Sequence, residues 1–141
     1  MTDLKTITIL FRTQNKLESI IREDVRCHGL NTSEFGALEV LYHKGPLPVQ
    51  AIKEKVLIAS SSMSYVIERL LDKDLITKII SPKDNRVHHV HLSQKGKDFM
   101  DEIYPKHVQT LRQTLNILTN EEELQLQNLL KKIGKHNETH L

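Results

Sequence analysis

The hydrophobic repeat departs from helical spacing in one part of the chain, and this departure limits the possible folds more than any other feature. Residues 75–80 and 87–92 depart from helical spacing and are predicted to form two β-strands, joined by the turn segment Ser81-Pro82-Lys83-Asp84-Asn85-Arg86. Before and after them, apolar residues recur at helical spacing. The pattern predicts a mainly α-helical chain with one small β-hairpin.

Turn and capping residues predict the first two helices. The first runs from about Leu4 to Cys27, where Gly29 is suited to a left-handed C-terminal cap. Asn31 with Glu34 resembles a capping box that opens a second helix, which ends at residues 44–46 (Lys-Gly-Pro).

Two helices are predicted before the hairpin and two after it. Pro48 suits the start of a short third helix that reaches about Val56, and a fourth covers about Ala59 to Lys73. After the hairpin, Ser93 can cap a helix to about Leu118, which Pro105 should interrupt and kink. Thr119 with Glu122 forms a second capping box for the last helix.

Positive charge is concentrated in the middle of the chain. Residues 1–52 have no net charge, residues 53–97 carry nine basic and five acidic side chains, and residues 98–141 have a net charge of −2. A polyanion such as DNA is therefore expected to contact the middle third. A solvated basic face is the alternative explanation of this excess.

Composition excludes several classes of protein. One cysteine, Cys27, rules out an internal disulfide framework. No apolar run approaches the ~20 residues of a membrane span, and residues 1–12 do not form a secretory signal. No phosphate loop, zinc-hydrolase motif or nucleophile elbow is present, so an enzyme is not expected. We expect a soluble cytoplasmic protein without a cofactor or a metal.

The fourth predicted helix has one apolar and one polar face. Its start is rich in hydroxyl groups that can meet phosphates and bases in a major groove, and Tyr65 adds a flat side chain. An ordinary helix cap is the alternative role for the serines. The candidate DNA contacts on this helix are Ser60, Ser61, Ser62, Ser64 and Tyr65.

From Asn31 to Lys97 the sequence resembles the MarR family of bacterial regulators. The most specific stretch is residues 81–86 followed by Val87 to Leu92 and Leu92-Ser93-Gln94-Lys95-Gly96, which is similar to the wing signature of that family. Asp74 stands where the family often has glycine, and aspartate tolerates turn conformations. Flanking helices match the dimerisation elements of the family.

The resemblance implies a winged helix-turn-helix domain over the whole chain. Residues 31–97 would form the DNA-binding lobe, and residues 1–30 and 98–141 the dimerisation helices of a homodimeric repressor on an operator. In the family the wing arginine, here Arg86, enters the minor groove, and Asp84 helps to hold the wing. Lys83 would add a phosphate contact.

The apolar residues of the outer helices also predict a dimer. They exceed what a domain of this size covers, and a partner subunit is the economical explanation. The residues concerned are Ile7, Leu10, Leu17, Leu111, Leu115, Leu118, Leu126 and Leu129.

Two short stretches of the chain suggest the class of effector. Residues 27–31 and 41–45 resemble the branch of the family that senses quinones, catechols and electrophiles, so Cys27, Tyr42 and His43 are the candidate effector or redox residues. Cys27 is either a sensor or an inert packing residue. Two alternatives stay open: a zinc-responsive regulator using Cys27, His28, His43 and His107, and a winged-helix protein–protein adaptor.

Overall fold

The computed structural model describes residues 3–57, 61–80 and 88–138. Within these ranges helices predominate, and three short strands form one sheet. In chain order the elements are α1 (Lys5–Arg26), α2 (Thr32–Lys44), β1 (Leu47–Pro48), α3 (Val49–Lys55), α4 (Met63–Asp72), β2 (Ile76–Ile80), β3 (His88–Leu92), α5 (Gln94–Leu115) and α6 (Asn120–Asn137).

The chain packs as two compact units. The first ends at His107 and contains α1 to α4, the sheet and the greater part of α5. The second begins at Val108 and contains the end of α5 and all of α6. None of the helices in the described ranges has the length and apolar character needed to cross a membrane.

Both predicted capping boxes are confirmed. The Asn31 side chain accepts the Glu34 N–H at 2.7 Å, and the Glu34 carboxylate accepts the Asn31 N–H at 3.0 Å. Thr119 and Glu122 make the same reciprocal pair at the start of α6. Each box satisfies two backbone N–H groups that a helix start otherwise leaves unpaired.

The sheet is antiparallel, with strand order β1-β3-β2. The predicted hairpin is confirmed by the pairing of β2 with β3, in which Ile76 faces Leu92 and Ile80 faces His88. Strand β1 was not predicted; its Leu47 pairs with Val90 of β3. Proline removes a donor from a strand, so Pro48 is compatible only with an edge position such as this one.

The core of the first unit is built around α2. Its buried residues pack with one face of α4 and with single side chains from the other elements. The side chains with the least exposure are Val25, Leu38, Ile52, Val66, Ile67, Leu70, Val90 and Met100. One face of helix α4 therefore packs in the core, and its opposite face can be exposed to solvent.

The junction between β2 and α5 is closely packed. Asp74 has a φ of 60°, the left-handed conformation that aspartate tolerates, and its carbonyl accepts the Ser93 hydroxyl at 2.6 Å. Ser93 Oγ also accepts the Gly96 N–H at 3.0 Å, which confirms Ser93 as the cap of α5. The base of the hairpin and the start of α5 are thereby joined.

Two predicted helix features differ in the structure. Helix α5 is continuous from Gln94 to Leu115 with Pro105 inside it, so the predicted interruption is wrong. Helix α4 begins at Met63 rather than near Ala59, which lies outside the described residues. The serines at 61 and 62 therefore precede the helix instead of lying within it.

Candidate nucleic-acid interface and effector cluster

Helix α4 presents a polar face to solvent. Met63, Val66, Ile67 and Leu70 are buried and fix the opposite face in the core. Ser62, Ser64, Tyr65, Glu68 and Arg69 are exposed, and Ser61 is half-buried. The predicted division of this helix into an apolar and a polar face is confirmed.

The start of α4 has donor groups available for an anion. Ser62 is the N-cap residue, is exposed, and makes no side-chain capping hydrogen bond. The first N–H groups of a helix have no partner inside the helix, and the helix dipole favours negative charge there. Together with the exposed hydroxyl of Ser64, this end of α4 can contact a phosphate.

Glu68, an acidic residue on the polar face, is paired. Glu68 lies 3.5 Å from the ammonium of Lys78 on β2, measured from carboxylate oxygen to nitrogen. A free carboxylate on this face would repel phosphates, and the neighbouring lysine offsets that charge. The pair is exposed and contributes little to stability.

The predicted tip of the wing and one of the candidate serines lie outside the described residues. These are Lys83, Asp84, Arg86 and Ser60, so their predicted contacts stay predictions. The strands that carry the tip are described up to Ile80 and from His88 onward, and these two residues pair across the hairpin.

Tyr42 and His43, two of the predicted effector residues, lie close together near the end of α2. The Tyr42 hydroxyl donates to Asp101 on α5 at 2.6 Å. Ring centroids lie 5.5 Å apart for Tyr42 and Tyr104, and 4.9 Å apart for His43 and Tyr104. We call Tyr42, His43 and Tyr104 the aromatic cluster. It joins α2 to α5.

Carboxylates adjoin both tyrosines of the aromatic cluster. The hydrogen bond to Asp101 is the main cause that raises the pKa of Tyr42 above 10.0. Burial raises the pKa of Tyr104, and the charge of Glu39 and its hydrogen bond with Tyr104 raise it further. Both phenols are therefore neutral at physiological pH and can donate their hydroxyl protons.

A buried histidine extends the aromatic cluster toward α1. His107 is 4% exposed, and its Nδ1 lies 2.7 Å from a carboxylate oxygen of Asp24. Its ring lies 4.4 Å from that of Phe35 and 6.1 Å from that of Tyr104, between centroids. From the sequence, His107 was predicted only as a candidate metal ligand. Its place on the stripe of Met100 and Ile103 was the signal that it belonged to the core.

Two open clefts border the aromatic cluster, one beside Tyr42 and the other beside His43. The first has a volume of about 300 Å³ and lies between the end of α2 and the start of α5, lined by Leu41, Tyr42, Gly45, Pro46, His91, Leu92, Ser93, Gln94 and Lys97. The second has about 330 Å³ and is lined by Glu39, Val40, His43, Lys44, Lys55 and Leu57.

Cys27 follows α1 and is exposed. The adjacent Arg26 forms an ion pair with Glu23 at 3.1 Å. Within residues 3–57, 61–80 and 88–138, no three His, Cys, Asp or Glu side chains are grouped so that they could hold a metal ion. The structure therefore does not assemble the proposed zinc set of Cys27, His28, His43 and His107.

Comparison with known proteins identifies the family. The model of the MarR family matches residues 30–88. Over 131 residues the chain is 35% identical to the HTH-type transcriptional regulator MhqR of Bacillus subtilis, and the match covers 93% of this chain and 90% of that protein. The chain belongs to the MarR family.

Solved structures of MarR-type regulators have the same fold as this chain. A MarR-like transcription regulator from Bacillus cereus superposes with a TM-score of 0.83 at 22% identity, covering 94% of this chain and 95% of the other. A mutant of Escherichia coli MarR complexed with operator DNA superposes with a TM-score of 0.79 at 20% identity, covering 94% and 99%. At this identity, these likenesses establish the fold.

The predicted family and fold class are confirmed by these comparisons. This MarR-family chain is a DNA-binding transcriptional regulator with a mainly helical, winged-helix fold, and its homologues are regulators rather than enzymes.

Proposed function

We propose that this chain is a homodimeric repressor that binds a near-palindromic operator and is released by a small phenol or quinone. The observation that carries the DNA-binding part is the exposed polar face of α4, held from behind by the buried Met63, Val66, Ile67 and Leu70. A solved relative in complex with operator DNA supports the same use of this fold.

On the operator, α4 of each subunit would enter a major groove and the wing would reach the adjacent minor groove. Ser62 and the first N–H groups of α4 would contact phosphate, while Ser64 and Tyr65 would face base edges. Arg86 at the wing tip would enter the narrow minor groove, where negative potential is concentrated. Half-site centres would then lie about one helical turn apart.

The dimer proposal is supported by apolar side chains that the protomer leaves uncovered. On α6, which has no buried residue, the exposed residues Leu126, Leu129, Leu130 and Ile133 follow helical spacing and form one stripe. On α1, Ile7 and Phe11 are exposed at the same spacing. A helix that exposes such a stripe usually buries it against a partner, and a twofold dimer covers both copies at once.

The effector proposal is supported by the aromatic cluster of Tyr42, His43 and Tyr104. Its rings are suited to stack on a planar phenol or quinone, and the carboxylates of Glu39 and Asp101 can accept a phenolic hydroxyl. Such a ligand would release the operator only if it binds the DNA-free conformation more tightly than the bound one.

The DNA-binding proposal is tested by fluorescence anisotropy with a duplex selected in vitro from a random pool by the wild-type protein. Tyr65→Ala and Arg86→Ala should each weaken binding by at least about tenfold, and Arg86→Ala should also reduce the salt dependence by about one phosphate equivalent. Arg22→Ala, at an exposed position on α1, is the matched control. Unchanged affinity in both test variants would refute the proposed interface.

The dimer is tested by sedimentation of Leu129→Glu beside Gln127→Glu. Both positions are exposed on α6 in the protomer, but only Leu129 belongs to the apolar stripe. A carboxylate buried in an apolar interface without a partner is costly, so Leu129→Glu should sediment as a monomer or aggregate. Gln127→Glu should remain a dimer. A monodisperse Leu129→Glu dimer would place the interface elsewhere.

The effector is tested by adding catechol, benzoquinone or zinc to the complex with the selected duplex. Catechol or benzoquinone should release the wild-type protein, and Tyr104→Ala should lose that response while it keeps its DNA affinity. Release by zinc alone would favour the zinc-responsive alternative.

A further inference from the structure

Lys73 directs its ammonium group into the protein although it lies in the basic part of the chain. It is the C-cap residue of α4. Its Nζ lies 2.9 Å from a carboxylate oxygen of Glu34 and donates to the carbonyl of Gly29 at 3.0 Å. The Lys73 side chain is 31% exposed, whereas that of Glu34 is 4% exposed. The positive charge of Lys73, one of the nine basic residues of positions 53–97, is thus paired inside the protomer.

Both oxygens of the Glu34 carboxylate are engaged. Oε1 accepts the N–H of Asn31 in the capping box of α2, and Oε2 accepts the ammonium of Lys73. A buried carboxylate is stable only when it is paired and hydrogen-bonded. Glu34 therefore fixes the start of α2 and the end of α4 together.

The Gly29 carbonyl brings a third segment to the same point. Gly29 has a φ of 78° and belongs to the turn between α1 and α2. Lys73 thus joins this turn, the start of α2 and the end of the helix that carries the proposed DNA-contacting residues. We call Lys73, Glu34 and the Gly29 carbonyl the Lys73 clamp.

From this geometry we infer that Lys73 is a positioning residue for DNA recognition and not a phosphate contact. The clamp holds the end of α4 against the turn between α1 and α2, so it sets the direction in which Ser64 and Tyr65 point. The inference rests on the proposed use of α4 in the major groove. According to this inference, the orientation of α4 also depends on Glu34, the buried carboxylate of α2.

The two roles of Lys73 predict different salt dependences. The plot of log affinity against log salt has a negative slope, and loss of a phosphate contact makes it shallower by ~0.9 for each phosphate released. Loss of an internal clamp leaves the number of phosphate contacts in the complex unchanged, so the slope is also unchanged. A phosphate contact also predicts that removal of the Glu34 charge leaves DNA affinity unchanged or raises it, because the lysine is freed.

The test is a double-mutant cycle with Lys73→Met, Glu34→Gln and the double variant, measured on full-length protein. Affinity is measured for the duplex selected by wild-type protein and for a random-sequence duplex of equal length, over a series of salt concentrations. Each single variant should bind the selected duplex roughly tenfold more weakly, and the double variant no more weakly than the worse single variant. The random duplex should be bound almost as before.

Glu34→Gln keeps the size and the acceptor of the side chain, so it reports on the clamp even if Lys73→Met fails to fold. Lys106→Met, which removes an exposed lysine from α5, controls for the loss of one positive charge. A lower salt slope in Lys73→Met, with unchanged affinity in Glu34→Gln, would overturn the inference and leave DNA binding intact. Wild-type protein that selects no duplex would instead refute the proposed function.

Discussion

Replacement of Gly96 by alanine tests how the base of the hairpin packs against α5. Gly96 is buried in the first turn of this helix. A Cβ added there would lie 1.9 Å from the Leu75 carbonyl oxygen and 2.9 Å from its carbonyl carbon. Both separations are far below the ~3.5 Å of optimal contact between heavy atoms. Because the obstacle is backbone, the start of β2 or of α5 must move.

The expected cost follows from the contacts that this movement disturbs. Overpacking a close contact costs ~1–3 kcal/mol. The same junction holds two hydrogen bonds, from Ser93 N–H to Leu75 at 3.0 Å and from the Ser93 hydroxyl to Asp74 at 2.6 Å, each worth ~0.5–1.5 kcal/mol. Alanine returns up to ~1 kcal/mol of helix propensity. We therefore expect Gly96→Ala to lose about 3 kcal/mol of unfolding free energy.

Urea unfolding measures this loss directly. With a slope of ~2 kcal/mol/M, the midpoint should fall by about 1.5 M. Gly134→Ala is the matched control, since the added Cβ on α6 meets nothing within 4 Å and should stabilise the protomer by ~0.5–1 kcal/mol. Both variants are measured at one protein concentration because the proposed dimer would make stability depend on concentration. An unchanged midpoint in Gly96→Ala would refute the packing described at Leu75.

Three further predictions concern two side-chain pairs and the single cysteine. Asp24→Ala leaves the buried His107 without its acceptor and should lower the unfolding free energy by ~1–3 kcal/mol in urea; an unchanged value would show that the pair is replaceable. The hydrogen bond from Arg112 lowers the pKa of Glu123 from 4.5. The stabilisation that this pair gives to the folded protein is therefore present above pH 4.5 and is lost as the pH falls through the lowered pKa. The difference in urea midpoint between wild type and Arg112→Met should thus shrink from about pH 7 to about pH 3, and a constant difference would contradict the assignment. If thiol modification releases the operator, Cys27→Ser should remain on the selected duplex when benzoquinone is added; release equal to wild type would leave a reversible ligand as the better account.

Features set by neighbouring residues could be predicted from the sequence. Each capping box needs only a side chain and the residue three positions later, and both occur as expected at Asn31 and Thr119. The hairpin was predictable because its strands are adjacent in the chain and carry a turn between them. Asp74 adopts the left-handed conformation because a short polar side chain tolerates it.

Features that join distant segments could not be predicted in this way. Leu47 and Pro48 form an edge strand of two residues, too short for any alternation to be visible, and proline argues against a strand. The partners of Tyr42 and Lys73 are also distant in sequence, at Asp101 and Glu34 respectively. Hydrophobic spacing shows which side of a helix is buried, but not which polar group on another helix will face it.

Helix α2 connects the proposed effector cluster to the Lys73 clamp. Glu34 lies in its first turn and Tyr42 and His43 near its end, and its 13 residues span about 20 Å. A closely packed helix moves as a unit, so a ligand that displaces its end also displaces Glu34. Binding energies are reciprocal, so an effector that weakens operator affinity through α2 must itself bind more weakly, by the same factor, to the operator complex.

Glu34→Gln breaks the link at the clamp without touching the aromatic cluster. In that variant the affinities of catechol for free and operator-bound protein should therefore converge, whereas a difference as large as in wild type would mean that the two sites communicate by another route.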